Sequence, residues 1–408
     1  MRAIRSGTVR GLLPCLARAV AASLVLGCAG VGGPHATFDW VDNIRPSAGL
    51  GPARFLWVQK LSRDFEGAYV PVEHATALVD ASRDRLFVGT TYGEFLLLDG
   101  SGARHASVRI GGGVGGAPVL DDAGTTVFVG SEEGTFFALD SASLEKRWEQ
   151  KLGGAVRELP VVVPGTVYVT TDADVVFALD RNDGTILWRY GRDAPETMSV
   201  SGHAGLYVDD KRVVAAFTDG AVVALSPIDG SVLWERETSL DVEPDEARAP
   251  RFVDVDTTPV LIDGVLWVAS FAGGLYGLSP ATGAVEWHDE DTKAVTAITL
   301  AGERVYLASG DDGVIAMSKD DRSVYWTHAF ERGSLSRPVV AAGTVLVAEK
   351  GGPFVALDAE SGFEVNRMEA GYGFSAPPAV AQGLGFVVSN GGSLFAFRLS
   401  PPPPFAQP

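Results

Sequence analysis

The chain has 408 residues and carries 33 Lys and Arg residues against 51 Asp and Glu residues, a formal charge of −18. Such an acidic chain repels phosphate groups, which disfavours binding to nucleic acids and charge-driven binding to anionic lipids. Hydrophobic residues make up 46% of the sequence and charged residues 21%, so the composition excludes a disordered chain. The 49 glycines and 23 prolines are spread along the chain and favour turns and short strands over helical bundles.

The N-terminus has the layout of a secretory signal. Basic residues precede an apolar stretch at residues 19–27, which is too short for a membrane-spanning helix of about 20 residues. The residues Val-Leu-Gly before Cys28 resemble the lipobox of bacterial lipoproteins. We therefore expect a lipoprotein-type signal peptide over residues 1–27 and lipidation of Cys28 by acyl chains such as palmitate. An ordinary signal peptide with a coincidental cysteine is the alternative.

The residues around Cys28 bear on compartment and anchoring. Cys15 lies inside the signal, so a mature chain has no cysteine pair for a disulfide. Residue 29 is Ala, and in lipoproteins of the kind this motif resembles, Asp at that place favours retention in the inner membrane. The expected location is therefore the periplasmic face of the outer membrane, where the lipid anchor is the only membrane contact. Residues 28–54 are rich in Gly, Pro and Ala and predict a flexible tether.

One short segment recurs eight times along the rest of the chain. Its best copies read Phe-Ala-Leu-Asp or Val-Ala-Leu-Asp, and the steps between copies run from 39 to 53 residues. The copies occupy residues 96–99, 137–140, 177–180, 223–226, 276–279, 315–318, 355–358 and 395–398. A period of about 40 residues indicates a repeat architecture in which each copy is one structural unit.

Each unit has the same internal layout. Two apolar runs come before the recurring segment, and a polar turn separates the segment from the run just before it. A tryptophan follows eight residues after the segment in five units, whereas Ser107 and Asn366 stand there in two others. Four short strands per unit are typical of a β-propeller blade. We expect the tryptophans to dock between adjacent blades as structural residues: Trp148, Trp188, Trp234, Trp287 and Trp326.

The two ends of the chain complement each other. The eighth unit ends near Leu399 and lacks a tryptophan strand, while the segment at residues 56–61 contains Trp57 and precedes the first unit. Pairing that segment with the last sheet closes a ring and removes an exposed edge. The sequence therefore predicts an all-β fold: a single eight-bladed β-propeller of four-stranded blades over residues 55–400, closed by the N-terminal strand. A Pro-rich tail follows at residues 401–408.

The repeated Ala-Leu-Asp, the Gly and the later Trp resemble the tryptophan-docking repeat of pyrroloquinoline-quinone-like propellers. One branch of that group, the quinoprotein dehydrogenases, holds its quinone with calcium and usually a vicinal disulfide. This chain has no mature cysteine pair and lacks the extra length of those enzymes. We therefore expect no enzyme activity and no cofactor. A quinone-binding oxidoreductase or sensor is kept as an alternative.

The second branch is the lipoprotein B subunit of the β-barrel assembly machinery of Gram-negative outer membranes, and the resemblance covers about residues 55–400. It is sharpest at Asp-Val-Asp-Thr-Thr-Pro-Val, residues 254–260, which follow the longest insertion between units. The resemblance implies a scaffold that docks on a periplasmic POTRA domain of the barrel-forming subunit and assists insertion of outer-membrane proteins, with unfolded outer-membrane proteins as further partners. A propeller scaffold for another envelope complex is the alternative.

The resemblance also implies docking residues. In that family the acids of the Asp-Val-Asp loop and a Leu-Ser-Leu-Arg stretch in the fourth blade form the docking face. Two acids separated by one residue on an extended segment point the same way, so together they suit a basic partner surface. The alternative is that both acids only accept hydrogen bonds from backbone donors in the turn where a strand begins. In the second stretch Ser201 replaces the arginine. The implied partner-binding residues are Asp254, Asp256, Thr257, Met198, Val200 and Ser201.

Three further signals do not predict a site of their own. The glycine-rich residues 111–116 match G-x-G-x-x-G, but an apolar strand follows them where a phosphate site needs a helix. The six histidines show no metal-ligand spacing. The four acids of residues 241–246 are typical of a solvated insertion, with a calcium or partner contact as the alternative.

Overall fold

The computed structural model describes residues 45–46, 53–62, 72–193, 204–238, 254–331 and 334–400. These residues form β-strands, turns and connections. Among them there is no helix long and apolar enough to cross a membrane.

The strands fall into eight antiparallel sheets, numbered here as blades along the chain. Two strands precede the first blade: β1 (Arg45–Pro46) and β2 (Ala53–Lys60). Blade 1 contains β3 (Leu78–Asp80), β4 (Arg85–Gly89), β5 (Glu94–Leu98) and β6 (Arg104–Arg109). Blade 2 contains β7 (Val119–Leu120), β8 (Thr126–Gly130), β9 (Thr135–Asp140) and β10 (Lys146–Lys151). Blade 3 contains β11 (Val161–Val163), β12 (Thr166–Thr171), β13 (Val175–Asp180) and β14 (Ile186–Gly191). Blade 4 contains β15 (Tyr207–Val208), β16 (Val213–Ala216), β17 (Ala221–Leu225) and β18 (Val232–Glu237).

The second half of the chain repeats this order. Blade 5 contains β19 (Val260–Ile262), β20 (Val265–Ser270), β21 (Gly274–Leu278) and β22 (Val285–Asp289). Blade 6 contains β23 (Val295–Ala301), β24 (Arg304–Ser309), β25 (Gly313–Ser318) and β26 (Val324–His328). Blade 7 contains β27 (Val339–Ala341), β28 (Thr344–Ala348), β29 (Phe354–Asp358) and β30 (Glu364–Glu369). Blade 8 contains β31 (Ala379–Ala381), β32 (Leu384–Val388) and β33 (Ser393–Leu399).

The ring is closed by the N-terminal strand β2, which pairs antiparallel with β33 as the outer strand of blade 8. In this register Trp57 lies opposite Ala396, just as Trp148 lies opposite Ala138 in blade 2. The predicted all-β, eight-bladed propeller with N-terminal closure is therefore confirmed. β1 adds a fifth strand to blade 7 by pairing with the end of β30.

The hydrophobic core lies between neighbouring blades. One cluster joins Phe128 and Phe136 of blade 2 to Val167 and Phe177 of blade 3, and all four side chains are buried. The strands read as apolar runs because both faces of each inner strand are covered by an adjacent blade. Each blade therefore depends on its two neighbours to bury its apolar faces.

The tryptophans lie at the seams between blades. The Nε1–H of Trp188 donates to the backbone oxygen of Pro227 in the next blade at 3.1 Å. Its ring covers Gly230, where a Cβ atom would lie 2.6 Å from the indole and where φ is +71°. Four other indoles donate to the backbone oxygen at the equivalent turn position of the next blade: Trp57 to Gly100, Trp148 to Arg181, Trp234 to Pro280 and Trp326 to Ala359.

The two units without a tryptophan have other seam contacts. In blade 1, Ser107 lies opposite Leu96, and the guanidinium of Arg85 reaches blade 2 by donating to Ser141 Oγ at 2.7 Å. In blade 7, Asn366 Nδ2 donates to the backbone oxygen of Ala53 in the closing strand at 3.3 Å. Both seams are therefore joined by polar side chains.

Antiparallel order gives the ring two different rims. The connections into the first strand of each blade and the turns between the second and third strands share one end, which we call the upper rim. The turns between the first and second strands and between the third and fourth strands form the lower rim, where the tryptophans dock. Residues 254–257 precede β19 and therefore lie on the upper rim.

Candidate functional site

Hydrogen bonds fix the segment Asp254–Thr257 to the upper rim. The amide of Val255 donates to Phe217 O of blade 4 at 3.2 Å, and the amide of Phe271 in blade 5 donates to Asp254 O at 2.9 Å. The amide of Ala269 donates to Thr257 Oγ1 at 2.8 Å. The segment therefore joins blades 4 and 5 and has a fixed backbone.

The two acids of this segment are buried. Asp254 is 1% exposed, Asp256 is 8% exposed, and Thr257 is fully covered. Neither carboxylate oxygen of Asp256 accepts a hydrogen bond from the described residues. The Asp256 side chain therefore does not accept the hydrogen bonds of the turn. The nearby amides of Ala269 and Phe271 donate instead to Thr257 Oγ1 and to the backbone oxygen of Asp254.

Burial and like charges act together on Asp256. Burial, followed by the negative charges of Asp254 and Glu158, raises the pKa of Asp256 to about 7. Lys350 acts in the opposite direction and favours the charged carboxylate. Near neutral pH this side chain is thus divided between its charged and neutral forms.

Two charged side chains from other blades, Glu158 and Lys350, act electrostatically on Asp256. Glu158 precedes β11 in blade 3, and burial raises its pKa to about 7 against the opposing charges of Arg337 and Lys350. Lys350 lies in the turn between β28 and β29 of blade 7, where it is reachable by solvent. Partial desolvation lowers the pKa of its ammonium below the ordinary value, although the negative charges of Asp256 and Glu158 oppose this shift.

A second buried acid lies where the ring closes. The carboxylate of Glu73 accepts from Thr91 Oγ1 at 2.7 Å and from Thr91 N at 3.1 Å in blade 1. The amide of Glu73 donates to Asn390 Oδ1 of blade 8 at 3.0 Å. Burial raises the pKa of Glu73 to about 7. This residue therefore joins the first and last blades on the upper rim.

The upper rim also carries ion pairs and exposed apolar side chains. Arg157 pairs with Glu132 of blade 2 at 3.2 Å and with Asp172 of blade 3 at 3.5 Å. Tyr92 and Leu159 are 47% and 41% exposed on this rim. The rim thus combines a fixed backbone, buried charge and exposed apolar area, which suits contact with another protein.

Not every predicted site residue can be placed. Cys28, Met198, Val200 and Ser201 lie outside the residues that the structure describes, as does the acidic loop at residues 241–246. Within the described ranges no group of three or more His, Cys, Asp or Glu side chains is arranged to hold a metal ion.

Glu158 and Lys350 were not among the site residues predicted from the sequence. The signal for Glu158 is its register, because it stands two residues before the strand-opening Pro160 just as Thr257 stands two residues before Pro259. Lys350 lies in the turn after the second strand of its blade, and counting strands along the repeat predicts this turn. Neither position predicts by itself that the two side chains act on Asp256.

The fold and the seams define the class of this protein: an eight-bladed β-propeller with tryptophan-docking repeats. A family profile described as "Outer membrane protein assembly factor BamB" matches residues 123–328 and 313–399. The chain belongs to this family, as the resemblance of its repeats and of residues 254–260 predicted.

Individual relatives agree with this assignment. The outer membrane protein assembly factor BamB of Yersinia pestis is 27% identical over 297 residues, which cover 72% of this chain and 73% of the relative. That of Escherichia coli strain K12 is 28% identical and covers 68% of this chain and 72% of the relative.

Solved structures support the fold. The crystal structure of BamB from Moraxella catarrhalis superposes with a TM-score of 0.70 at 22% identity, covering 85% of this chain and 100% of that one. Quinohemoprotein alcohol dehydrogenase from Comamonas testosteroni superposes with a TM-score of 0.64 at 14% identity, covering 92% of this chain and 80% of that one. At these identities both comparisons show the shared fold alone.

Proposed function

We propose that this chain is a non-catalytic scaffold that docks through its upper rim on a POTRA domain of the barrel-forming subunit and assists folding and insertion of outer-membrane β-barrel proteins. Membership of the BamB family is the observation that carries this proposal. The chain's own geometry supports it, since the segment Asp254–Thr257, which carries the resemblance to the family, lies on one rim and is held there by hydrogen bonds to backbone groups of blades 4 and 5.

The rim contributes to docking in two ways. In their ionised forms its buried acids place negative charge where protein atoms screen it poorly, which favours a partner with a basic surface and speeds encounter. The exposed Tyr92, Leu159 and Tyr372 add apolar contact area on the same rim. Because Asp254 and Asp256 are buried, their charge acts on the partner mainly through the electrostatic field.

The anchor and the second docking stretch are part of the same proposal. Acyl chains on Cys28 would hold the scaffold at the periplasmic face of the outer membrane, since burial of each methylene contributes about 0.8 kcal/mol. Met198 and Val200 supply apolar contacts in the family's second stretch, and Ser201 leaves that stretch without its charged anchor. Labelling with radioactive palmitate in the wild type and in Cys28→Ser tests the anchor.

Affinity capture from solubilised membranes, followed by mass spectrometry, tests the docking. The wild-type chain is expected to recover the barrel-forming subunit, and the double variant Asp254→Asn/Asp256→Asn, which keeps side-chain shape, is expected to lose most of it. The matched control reverses two exposed acids of the lower rim, Asp122→Arg and Asp210→Arg, and keeps recovery. Recovery of a different envelope complex, or equal recovery by the Asn variant, contradicts the proposal.

A further inference from the structure

The segment Asp254–Thr257, which we call the docking segment, contacts one turn of blade 4 on the upper rim. Residues 217–220 form this turn between β16 and β17, and we call it the blade 4 turn. Phe217 O in the turn accepts the amide of Val255, which stands between the two acids of the docking segment, at 3.2 Å. Phe217 and Val255 are each 1% exposed. A shift of the blade 4 turn would therefore move the docking segment with it.

Blade 3 holds the other side of the blade 4 turn through Arg192. This residue follows β14, and its Nε lies 2.5 Å from Asp219 Oδ2 in the turn. Its guanidinium carbon lies 5.9 Å from the centroid of the Phe217 ring, within the range of a cation–π contact. The carboxylate of Asp174, also in blade 3, accepts from the Thr218 amide at 3.3 Å. Arg192 thus contacts the same residue whose backbone oxygen bonds the docking segment.

The same guanidinium joins the blade 4 turn to the outer strand of blade 4. Its Nη1 lies 2.7 Å from Glu235 Oε1, and its Nη2 lies 2.9 Å from Glu237 Oε1, both on β18. Each guanidinium nitrogen therefore has a carboxylate partner, and the Arg192 side chain is 18% exposed. The planar fork of donors in arginine makes this possible, whereas the ammonium of lysine is a compact point charge.

Three acids share the charge of Arg192. The side chains of Asp219, Glu235 and Glu237 are 22%, 37% and 32% exposed, so water screens their mutual repulsion only in part. Without the guanidinium these carboxylates would face one another where the blade 4 turn meets β18. The turn would then lose its ion pair with blade 3 and would be repelled from β18, and both changes displace it.

We propose that Arg192 is a positioning residue for docking: it holds the blade 4 turn against blade 3 and β18, and the turn holds the docking segment in the geometry that a basic partner surface meets. The proposal rests on the docking function proposed above. It adds that the docking site depends on a third blade, because Arg192 belongs to blade 3 whereas the docking segment joins blades 4 and 5.

Positioning and long-range charge predict opposite effects when this cation is removed. Arg192→Met makes the upper rim more negative, which by charge alone would strengthen binding to a basic partner. Displacement of the docking segment weakens binding, and we expect Arg192→Met to bind about tenfold more weakly. Arg192→Lys keeps the charge but not the fork of donors, so we expect a smaller loss of about threefold that charge cannot explain.

The experiment measures the dissociation constant between the full chain in detergent and the purified POTRA domains of the barrel-forming subunit. The matched control is Arg304→Met on the lower rim, which should keep the wild-type affinity. Arg304 is also 18% exposed, pairs with Glu360 of the next blade and lies 4.5 Å from the Tyr325 ring centroid. Wild-type affinity in both Arg192 variants, or tighter binding by Arg192→Met, overturns the proposal, and so does an equal loss in Arg304→Met.

A second measurement needs no partner, because it follows hydrogen exchange of the Val255 amide in the full chain alone. Exchange should be about tenfold faster in Arg192→Met and in Asp219→Asn, whereas Arg304→Met should leave it unchanged. Asp219→Asn breaks the ion pair but keeps the Oδ1 that accepts from Ala221 N.

The exchange result separates this proposal from the docking function itself. Unchanged Val255 exchange in Arg192→Met and Asp219→Asn overturns the role of Arg192 whatever the chain binds. An equal acceleration in the strands of blade 8 marks a general loss of stability and overturns it as well. A wild-type chain that fails to bind the POTRA domains overturns the proposed function, while Val255 exchange still decides whether Arg192 positions the docking segment.

Discussion

A docked tryptophan contributes to the seam in two ways, through an indole hydrogen bond and through a ring laid on a glycine. Trp188 shows both, and it is 7% exposed. We expect Trp188→Ala to lower the free energy of unfolding by about 3–5 kcal/mol, because a large buried ring and its hydrogen bond are lost. Leu187→Ala, at a neighbouring side chain that is 52% exposed, is the control and should change it by less than about 0.5 kcal/mol. Equal effects in chemical denaturation would refute the seam role.

Trp287 is placed differently from the other docked tryptophans because two residues around its ring differ from those at the other seams. The position of the seam glycine is occupied by Arg322, whose guanidinium lies 4.6 Å from the Trp287 ring centroid. The alanine that usually lies opposite the tryptophan is Gly277, and a Cβ atom there would lie 2.1 Å from the indole. The ring therefore sits over Gly277, and its edge meets Trp267 at 4.7 Å between centroids.

The two substitutions are expected to be coupled. Gly277→Ala alone should destabilise the chain by about 1–3 kcal/mol through overpacking. Adding Arg322→Gly reopens the usual seam position for the indole. The double variant should therefore lose at least about 1 kcal/mol less unfolding free energy than the sum of the losses in the two single variants. A double-mutant cycle in urea measures this coupling, and strictly additive effects would contradict it.

At the scale of the element, blade 1 depends on a polar clamp where other blades have an indole. Arg85 bonds Asp80 within its own blade at 2.7 Å and Ser141 and Gly124 of blade 2 at 2.7 and 2.8 Å. Although burial opposes it, the hydrogen bonds from Ser82, Arg85 and Arg83 lower the pKa of Asp80 to about 2. The clamp therefore stays charged at every pH above about 4.

Breaking this clamp should weaken one seam. Arg85→Met is expected to cost about 3 kcal/mol of unfolding free energy, because it leaves the buried Asp80 without its main partner. Arg104→Met breaks the more exposed pair with Glu94 in the same blade and should cost less than about 1 kcal/mol. Similar denaturation midpoints for the two variants would show that the clamp does not hold the seam.

At the scale of the whole molecule, ring closure places the buried acid Glu73 in contact with both the first and the last blade. Glu73 has a pKa of about 7 in the fold, against an ordinary value of 4.5. Because the folded value is the higher one, its contribution to stability is fully present below about pH 4.5 and is lost as pH rises through 7. The loss is at most about 3 kcal/mol.

Glu73→Gln removes this titration. The unfolding free energy of the variant should fall less steeply between pH 5 and 8 than that of the wild type, by up to about 1 kcal/mol per pH unit. Glu145→Gln changes an exposed turn acid and should keep the wild-type slope. If Glu73→Gln also keeps that slope, Glu73 does not carry the effect.

The sequence predicts the ring well and the site in part, for a physical reason. Strand spacing, turn residues and the separated Trp57 segment are local signals, and they were enough for eight blades and their closure. The segment at residues 254–257 was located by its resemblance, but its burial was not foreseen. The electrostatic influence of Glu158 and Lys350 on Asp256 depends on how three blades far apart in the sequence are placed in the ring, and no local pattern contains that placement.

Site-specific photo-crosslinking in cells tests the central claim most directly, because it asks which rim touches the barrel-forming subunit. A photoreactive residue replaces Tyr92 or Leu159 on the upper rim, and Ile228 or Phe363, which are 87% and 66% exposed on the lower rim. Docking through the upper rim predicts adducts with the POTRA-containing subunit from the upper-rim positions and none from the lower-rim positions. Adducts from the lower rim alone would contradict it.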